Sequence, residues 1–79
     1  MISQQDTLLF YQLLDVSTVF PEQASKQLIK TAVEKQALPE VDFYYLLDVF
    51  KTEQNMHYLV DKKANEMLKA LEQKASAAI

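Results

Sequence analysis

The chain has 79 residues, 49% of them hydrophobic, a net charge of −3, no cysteine, no glycine and one histidine. This length predicts a single domain, residues 1–79, of marginal stability, and the composition excludes a disulfide framework or a zinc cluster as its support. The lack of glycine disfavours hairpin-rich β structure. The lack of arginine means that no guanidinium group is present to make paired hydrogen bonds to guanine or phosphate. We therefore expect oligomerisation or a bound partner to stabilise the fold.

The N-terminal residues lack a basic segment followed by a continuous apolar run, so we expect no signal peptide. No apolar run approaches the ~20 residues that a membrane span needs. We therefore expect a soluble, cytoplasmic protein.

The first predicted helix covers residues 4–18. Ser3, followed three residues later by Asp6, resembles a capping box with a shorter acid and places the start of the helix near residue 4. An apolar stripe about 160° wide is typical of a core helix, and here it consists of Leu9, Phe10, Leu13, Leu14, Val16 and Phe20.

Two prolines, each followed by an acid, mark the next helix starts. Pro21 opens a predicted helix over residues 21–36, whose apolar stripe is Ala24, Leu28, Ile29, Ala32 and Val33. Pro39 opens a third over residues 39–50, whose core face is Phe43, Leu46, Leu47, Val49 and Phe50.

The boundary between the third and fourth helices carries no proline or glycine. One long helix over residues 39–76 is an alternative, but we predict a break near residues 51–54, because so long a helix is unusual in a small domain. The fourth helix has its stripe at Val60, Ala64, Met67, Leu71 and Ala78, with Leu68 and Ala75 beside it. The prediction is an all-α fold, a small bundle of four short helices in two consecutive helical hairpins.

Two segments of the chain are nearly identical. Residues 10–16 read Phe-Tyr-Gln-Leu-Leu-Asp-Val, and residues 43–49 differ from them only in the third position. The copies lie 33 residues apart, a period that overlaps those of helical repeats. The match fits duplication and convergence equally well.

A helical wheel leaves apolar side chains on two sides of helices 1 and 3. Leu8, Tyr11 and Val19 lie opposite the core arc of helix 1, and Val41, Tyr44 and Tyr45 lie opposite that of helix 3. Uncovered apolar patches usually mark association surfaces. The predicted protein interface is therefore Tyr11, Asp15, Val41, Tyr44, Tyr45 and Asp48, with Tyr11–Asp15 and Tyr44–Asp48 as i,i+4 pairs. The alternative is that these tyrosines pack inside the bundle.

Catalytic and metal chemistry have little basis in the sequence. His57 is a lone histidine without a nucleophile in an evident motif, and is expected to be structural or solvated. The carboxylates match neither a calcium loop nor a di-iron pattern. We expect no enzyme, no cofactor and no metal site.

The predicted function is that of a small acidic interaction protein, such as an adaptor, inhibitor, antitoxin or immunity-type regulator, that covers a partner's surface. The acids on helices 1 and 3 fit a basic partner, or a second copy in a homodimer. One alternative is a DNA-binding regulator with a helix-turn-helix in helices 2 and 3, in which Lys26, Lys30 and Lys35 contact phosphates. Another is a structural subunit of a larger assembly. Neither nucleic acid nor membrane is the expected partner.

Overall fold

The computed structural model describes residues 2–56 and 61–77, the last two by their backbone only. It contains four helices, α1 (Gln4–Val16), α2 (Gln23–Glu34), α3 (Glu40–Asn55) and α4 (Lys62–Ala77). The described residues form no strand. The predicted all-α bundle is confirmed. Within the described part of the chain, every helix is too short or too polar to cross a membrane.

Helix α1 begins where the sequence predicts. The Ser3 side chain accepts a hydrogen bond from the Asp6 backbone N–H at 3.1 Å and so caps the first turn. The predicted end at residue 18 is wrong, because α1 stops at Val16 and Ser17 takes an extended conformation. Ser17 and Thr18 instead bond to Glu53 of α3.

Helix α2 is shorter at both ends than predicted, with Glu22 as its N-cap and Lys35 as its C-cap. Gln36 follows with a positive φ of 55°. The backbone N–H of Gln36 bonds to the Val33 carbonyl, and that of Ala37 to the Ala32 carbonyl. These two bonds form a Schellman motif with glutamine where glycine is usual.

Helix α3 begins after Pro39, as predicted, but continues past the expected break at residues 51–54 to Asn55. Met56 leaves the helix in an extended conformation, and the next described helix begins at Lys62. The single helix over residues 39–76 is therefore excluded. Glu53 lies three and four residues after the buried Phe50 and Val49, on the core face of the added turn.

The four helices close into a ring of contacts. Helix α1 packs against α2 and α3, and α4 packs against the same two helices. Phe10 and Phe43 stack with their ring centroids 4.6 Å apart. Asp6 meets Tyr44 near the helix starts, and Ser17 meets Glu53 near the ends. Helices α1 and α3 therefore run in the same direction.

The core confirms most of the predicted apolar positions and corrects several. All five predicted core residues of α3 are buried, as are Phe10, Leu14 and Phe20. The prediction that Val16 belongs to the core is wrong, because its side chain is 62% exposed. The prediction that Val19 lies opposite the core arc is also wrong, because its side chain is only 9% exposed. The polypeptide leaves helical geometry after Val16, so wheel positions no longer apply to Val19.

The apolar stripes of α2 and α4 are confirmed only in part. Ile29 and Ala32 are buried in α2, whereas Ala24 is exposed. Ala64 is buried in α4, and Met67, Leu68 and Leu71 pack against the core. Ala75 is exposed. The predictions for Val60 and Ala78 lie outside the residues that the structure describes.

Candidate interaction surfaces

The six predicted interface residues lie in separate places rather than in one patch. Tyr11 and Asp15 lie beside α2, and Tyr45 lies beside the start of α4. The three tyrosines are half-buried and pack against the core. Their placement opposite the core arc is therefore only partly correct, because neighbouring helices cover one side of each ring. Their role in an interface stays a prediction.

Tyr44 links α3 to α1. Its hydroxyl donates a hydrogen bond to Asp6 Oδ2 at 2.8 Å, so its bonding partner is Asp6 and not the predicted Asp48. This bond to a carboxylate and the partial burial of the ring raise the pKa of Tyr44. The ring is thereby held in one orientation at the surface.

Tyr45 fixes the start of α4. Its hydroxyl lies 2.7 Å from each carboxylate oxygen of Asp61, and Asp61 Oδ1 also accepts the Ala64 backbone N–H at 2.7 Å. Lys63 Nζ lies 4.5 Å from the centroid of the tyrosine ring, within the range of a cation–π contact. The hydrogen bond to Asp61, together with burial, raises the pKa of Tyr45.

Tyr11 and Asp15 form a cluster with two lysines of α2. Lys30 Nζ lies 3.3 Å from Asp15 Oδ1 and 5.6 Å from the Tyr11 ring centroid. Lys26, only 8% exposed, donates to the Asp15 carbonyl at 2.9 Å and places its charge at the negative end of α1. Two of the three lysines that the DNA-binding alternative requires are therefore engaged within the chain, Lys26 in a buried contact and Lys30 in an ion pair at the surface.

The exposed surface of α3 is formed by Val41, Tyr44 and Asp48, which follow one another at i, i+3 and i+7 on one helix face. We call these three residues the α3 surface. Val41 is 75% exposed, Asp48 is exposed, and Tyr44 lies half-buried between them. The first turn of α3 adds the acids Glu40 and Asp42. This surface combines apolar, aromatic and acidic character.

A buried carboxylate that the sequence analysis missed joins α3 to the connection after α1. Glu53 is 8% exposed and accepts a 2.8 Å hydrogen bond from the Ser17 hydroxyl. Its other oxygen accepts hydrogen bonds from the backbone and the hydroxyl of Thr18. Burial acts to raise the pKa of Glu53, but the hydrogen bonds from Thr18, Ser17 and Val19 outweigh it and leave the pKa below its ordinary value.

Glu53 does not belong to the acidic outer face expected from the sequence, because its side chain is only 8% exposed. The sequence did carry a signal, since position 53 continues the core spacing of Leu46, Val49 and Phe50. An acid at such a position needs partners, because an unpaired buried charge is costly. The hydroxyl-bearing pair Ser17–Thr18 supplies them.

The surface of the described residues includes two concave sites. One, of about 480 Å³, lies between α1, the end of α2 and the start of α3, and is lined by Ile2, Thr7, Tyr11, Val33, Glu34, Gln36, Leu38, Glu40 and Phe43. The other, of about 240 Å³, lies beside Glu53, between the exposed side chains of Val16 and Met56. We call the larger one the α1–α2–α3 cavity.

Residues 2–56 and 61–77 contain no group of three or more histidine, cysteine or acidic side chains that could hold a metal ion. The expectation for His57 lies outside the described residues.

Comparison with protein families, curated proteins and solved structures finds no match to this chain.

Proposed function

We propose that this chain is a small, acidic, non-enzymatic interaction protein of the cytoplasm that covers a basic surface on another protein. Adaptors, inhibitors, antitoxins and immunity-type regulators act in this way. The observation that carries the proposal is the α3 surface, where Val41 is 75% exposed beside the half-buried ring of Tyr44. A large apolar side chain left in water beside an aromatic ring is a natural anchor for a partner.

Tyr44 supports the proposal because it is already ordered. Its hydroxyl is bonded to Asp6 at 2.8 Å, so little conformational freedom remains for a partner to remove on binding. A fixed tyrosine supplies a large contact area at low entropic cost. The α3 surface therefore needs little rearrangement to dock.

The charge around the α3 surface favours a basic partner. Asp48 is exposed, and Glu40 and Asp42 lie in the first turn of α3. Complementary charge accelerates association and selects the partner. A second copy of the chain could supply such charge through Lys62, Lys63, Lys69 and Lys74, all of which are exposed on α4.

Affinity capture from the native host tests the proposal, with mass spectrometry to identify what is retained. The test variant is Val41→Lys, which replaces the exposed apolar side chain of the α3 surface by a positive charge. Val16→Lys is the matched control, because it makes the same change at another exposed valine. We expect one basic protein, or the chain itself, to be captured by the wild-type and control proteins and lost with Val41→Lys.

Analytical ultracentrifugation separates self-association from binding to another protein. A dimer that Val41→Lys dissociates and Val16→Lys leaves intact identifies a second copy as the partner. The proposal is contradicted if the protein sediments as a monomer and no captured protein depends on Val41. Steeply salt-dependent binding to random duplex DNA would also contradict it, because such binding follows from phosphate contacts.

A further inference from the structure

We propose that the α1–α2–α3 cavity is a binding site for an organic cation, a primary ammonium or guanidinium group on a compact apolar body. Its volume of about 480 Å³ lies within the range of ligand pockets. The ligand class follows from three features: an apolar floor, acidic walls and the end of a helix.

The floor of the cavity is apolar. Phe43 and Leu38 are buried core residues that line it, and Ile2 and Val33 add half-buried aliphatic walls. Such a surface binds the hydrocarbon part of a ligand by removing it from water. A bare inorganic ion would gain nothing from these side chains.

The charged side chains that line the cavity are both acidic, Glu34 and Glu40. Two lysines lie nearby. Lys30 lies against the Tyr11 ring and is paired with Asp15. Lys35, the C-cap of α2, is exposed and does not line the cavity. Burial raises the pKa of Tyr11, and the negative charge of Glu34 raises it further, so Glu34 acts on the same wall of the cavity. An anionic ligand is therefore disfavoured and a cation favoured.

The carboxyl end of α2 adds to this preference. Glu34 is the last residue of α2, and the last turn of the helix contains no basic side chain. Carbonyl groups at a helix end carry partial negative charge and favour cations. The positive φ of Gln36 turns the chain directly after this end and brings Gln36 and Leu38 into the wall of the same cavity.

The cavity borders the α3 surface, because Glu40 lines the cavity and also lies in the first turn of α3. Phe43 lies in the cavity wall and in the core, whereas Val41 does not line the cavity and is 75% exposed. Binding of a cation here and binding of a protein at Val41 can therefore be tested, and can fail, independently.

The test is a titration of the ¹⁵N-labelled protein with benzylamine, followed by amide chemical shifts. Benzyl alcohol is the control ligand, because it keeps the ring and lacks the charge. We expect the shifts to cluster at Thr7, Val33, Glu34 and Gln36, and benzylamine to bind more tightly than benzyl alcohol. A capped tripeptide containing one arginine, titrated in parallel, tells whether the preferred cation is a free amine or a side chain of a protein.

Glu34→Gln removes the charge and preserves the shape of the wall. We expect it to weaken benzylamine binding about threefold to fivefold, the effect of one solvent-accessible ion pair, and to leave benzyl alcohol unaffected. Glu66→Gln is the matched control on the exposed side of α4 and should change neither affinity. Val33→Phe fills the cavity and should reduce the binding of both ligands more than tenfold.

The proposal is overturned if neither benzylamine nor the arginine peptide shifts the amides that line the cavity. It is also overturned if Glu34→Gln and Glu66→Gln bind benzylamine equally well. Circular dichroism of each variant confirms that it is folded before the affinities are compared.

Discussion

The two copies of the repeated segment adopt the same helix but lie in different surroundings. Phe10 and Phe43 are both fully buried and stack on each other, and Leu14 and Leu47 are buried alike. The copies diverge at their last residue, because Val16 is 62% exposed and Val49 is 6% exposed.

The difference comes from the neighbouring helices. Helix α3 packs between α1 and α4 and continues to Asn55, so its copy lies in mid-helix. Helix α1 ends at Val16, the last residue of its copy. Nearly identical local sequence therefore sets the helix and the inward face, while tertiary contacts decide how much of the remainder is buried.

The largest expected effect contrasts the two final valines. Val49→Lys places an unpaired charge in the core and should lower the free energy of unfolding by about 4 kcal/mol, most of the stability of so small a domain. Val16→Lys should change it by less than about 0.5 kcal/mol, because the site is exposed. Urea unfolding followed by circular dichroism measures both. Equal losses would contradict the assigned burial.

The second effect concerns the carboxylate that joins the end of the first copy to the helix of the second. Glu53→Gln replaces the carboxylate that accepts hydrogen bonds from Ser17 and Thr18 by a neutral amide. It should lower the free energy of unfolding by about 2 kcal/mol. Glu66→Gln, at an exposed site on α4, is the control and should cost almost nothing. Denaturant unfolding at neutral pH compares the two.

The same carboxylate predicts a pH dependence. The pKa of Glu53 in the folded protein lies below its ordinary value of 4.5. Its contribution to stability is therefore complete above that value and is lost as the pH falls through the folded pKa. The stability difference between wild type and Glu53→Gln should shrink below about pH 4.5. A difference that stays constant down to about pH 2.5 would show that the charge of Glu53 does not matter.

The two valine variants can also be compared in a stabilised and in a destabilised form of the protein. Gln36 has a φ of 55°, which is costly for any residue with a Cβ, so Gln36→Gly should raise the free energy of unfolding by about 0.5 to 1 kcal/mol. Gln27→Gly, at an exposed site within α2, should lower it by about 1 kcal/mol. The gap between Val49→Lys and Val16→Lys should be the same in either background, because distant sites are additive.

The smallest effect compares the tyrosines of the two copies. Tyr44→Phe removes the hydrogen bond to Asp6 and should lower the thermal midpoint by about 2 to 4 °C. Tyr11 contacts Lys30 through its ring, so Tyr11→Phe should leave the midpoint nearly unchanged. Thermal melts of the two variants decide the point. Equal midpoints would mean that the Asp6 contact contributes nothing.

The features that could be predicted from the sequence are local. The Ser3 cap, the helix start after Pro39 and the core face of α3 follow from capping chemistry, proline geometry and apolar spacing. Each depends on residues within one or two turns of each other, so a single sequence contains the whole signal.

The features that could not be predicted depend on contacts between distant residues. Glu53 bonds to Ser17 and Thr18, which lie 36 and 35 positions earlier in the chain. Tyr44 bonds to Asp6, which lies 38 positions earlier. The α3 surface was predicted by residue type, but its separation from Tyr11 and Tyr45 was not. Which ring is covered depends on the order in which four helices pack, and a helical wheel treats each helix alone.

The affinity of the captured partner for two valine variants tests the proposed function most directly. Isothermal titration calorimetry should give Val41→Lys a Kd at least about tenfold higher than that of the wild type, as for loss of a central anchor residue. Val16→Lys should bind like the wild type. Equal affinities of the two variants would contradict the assignment of the α3 surface as the interface.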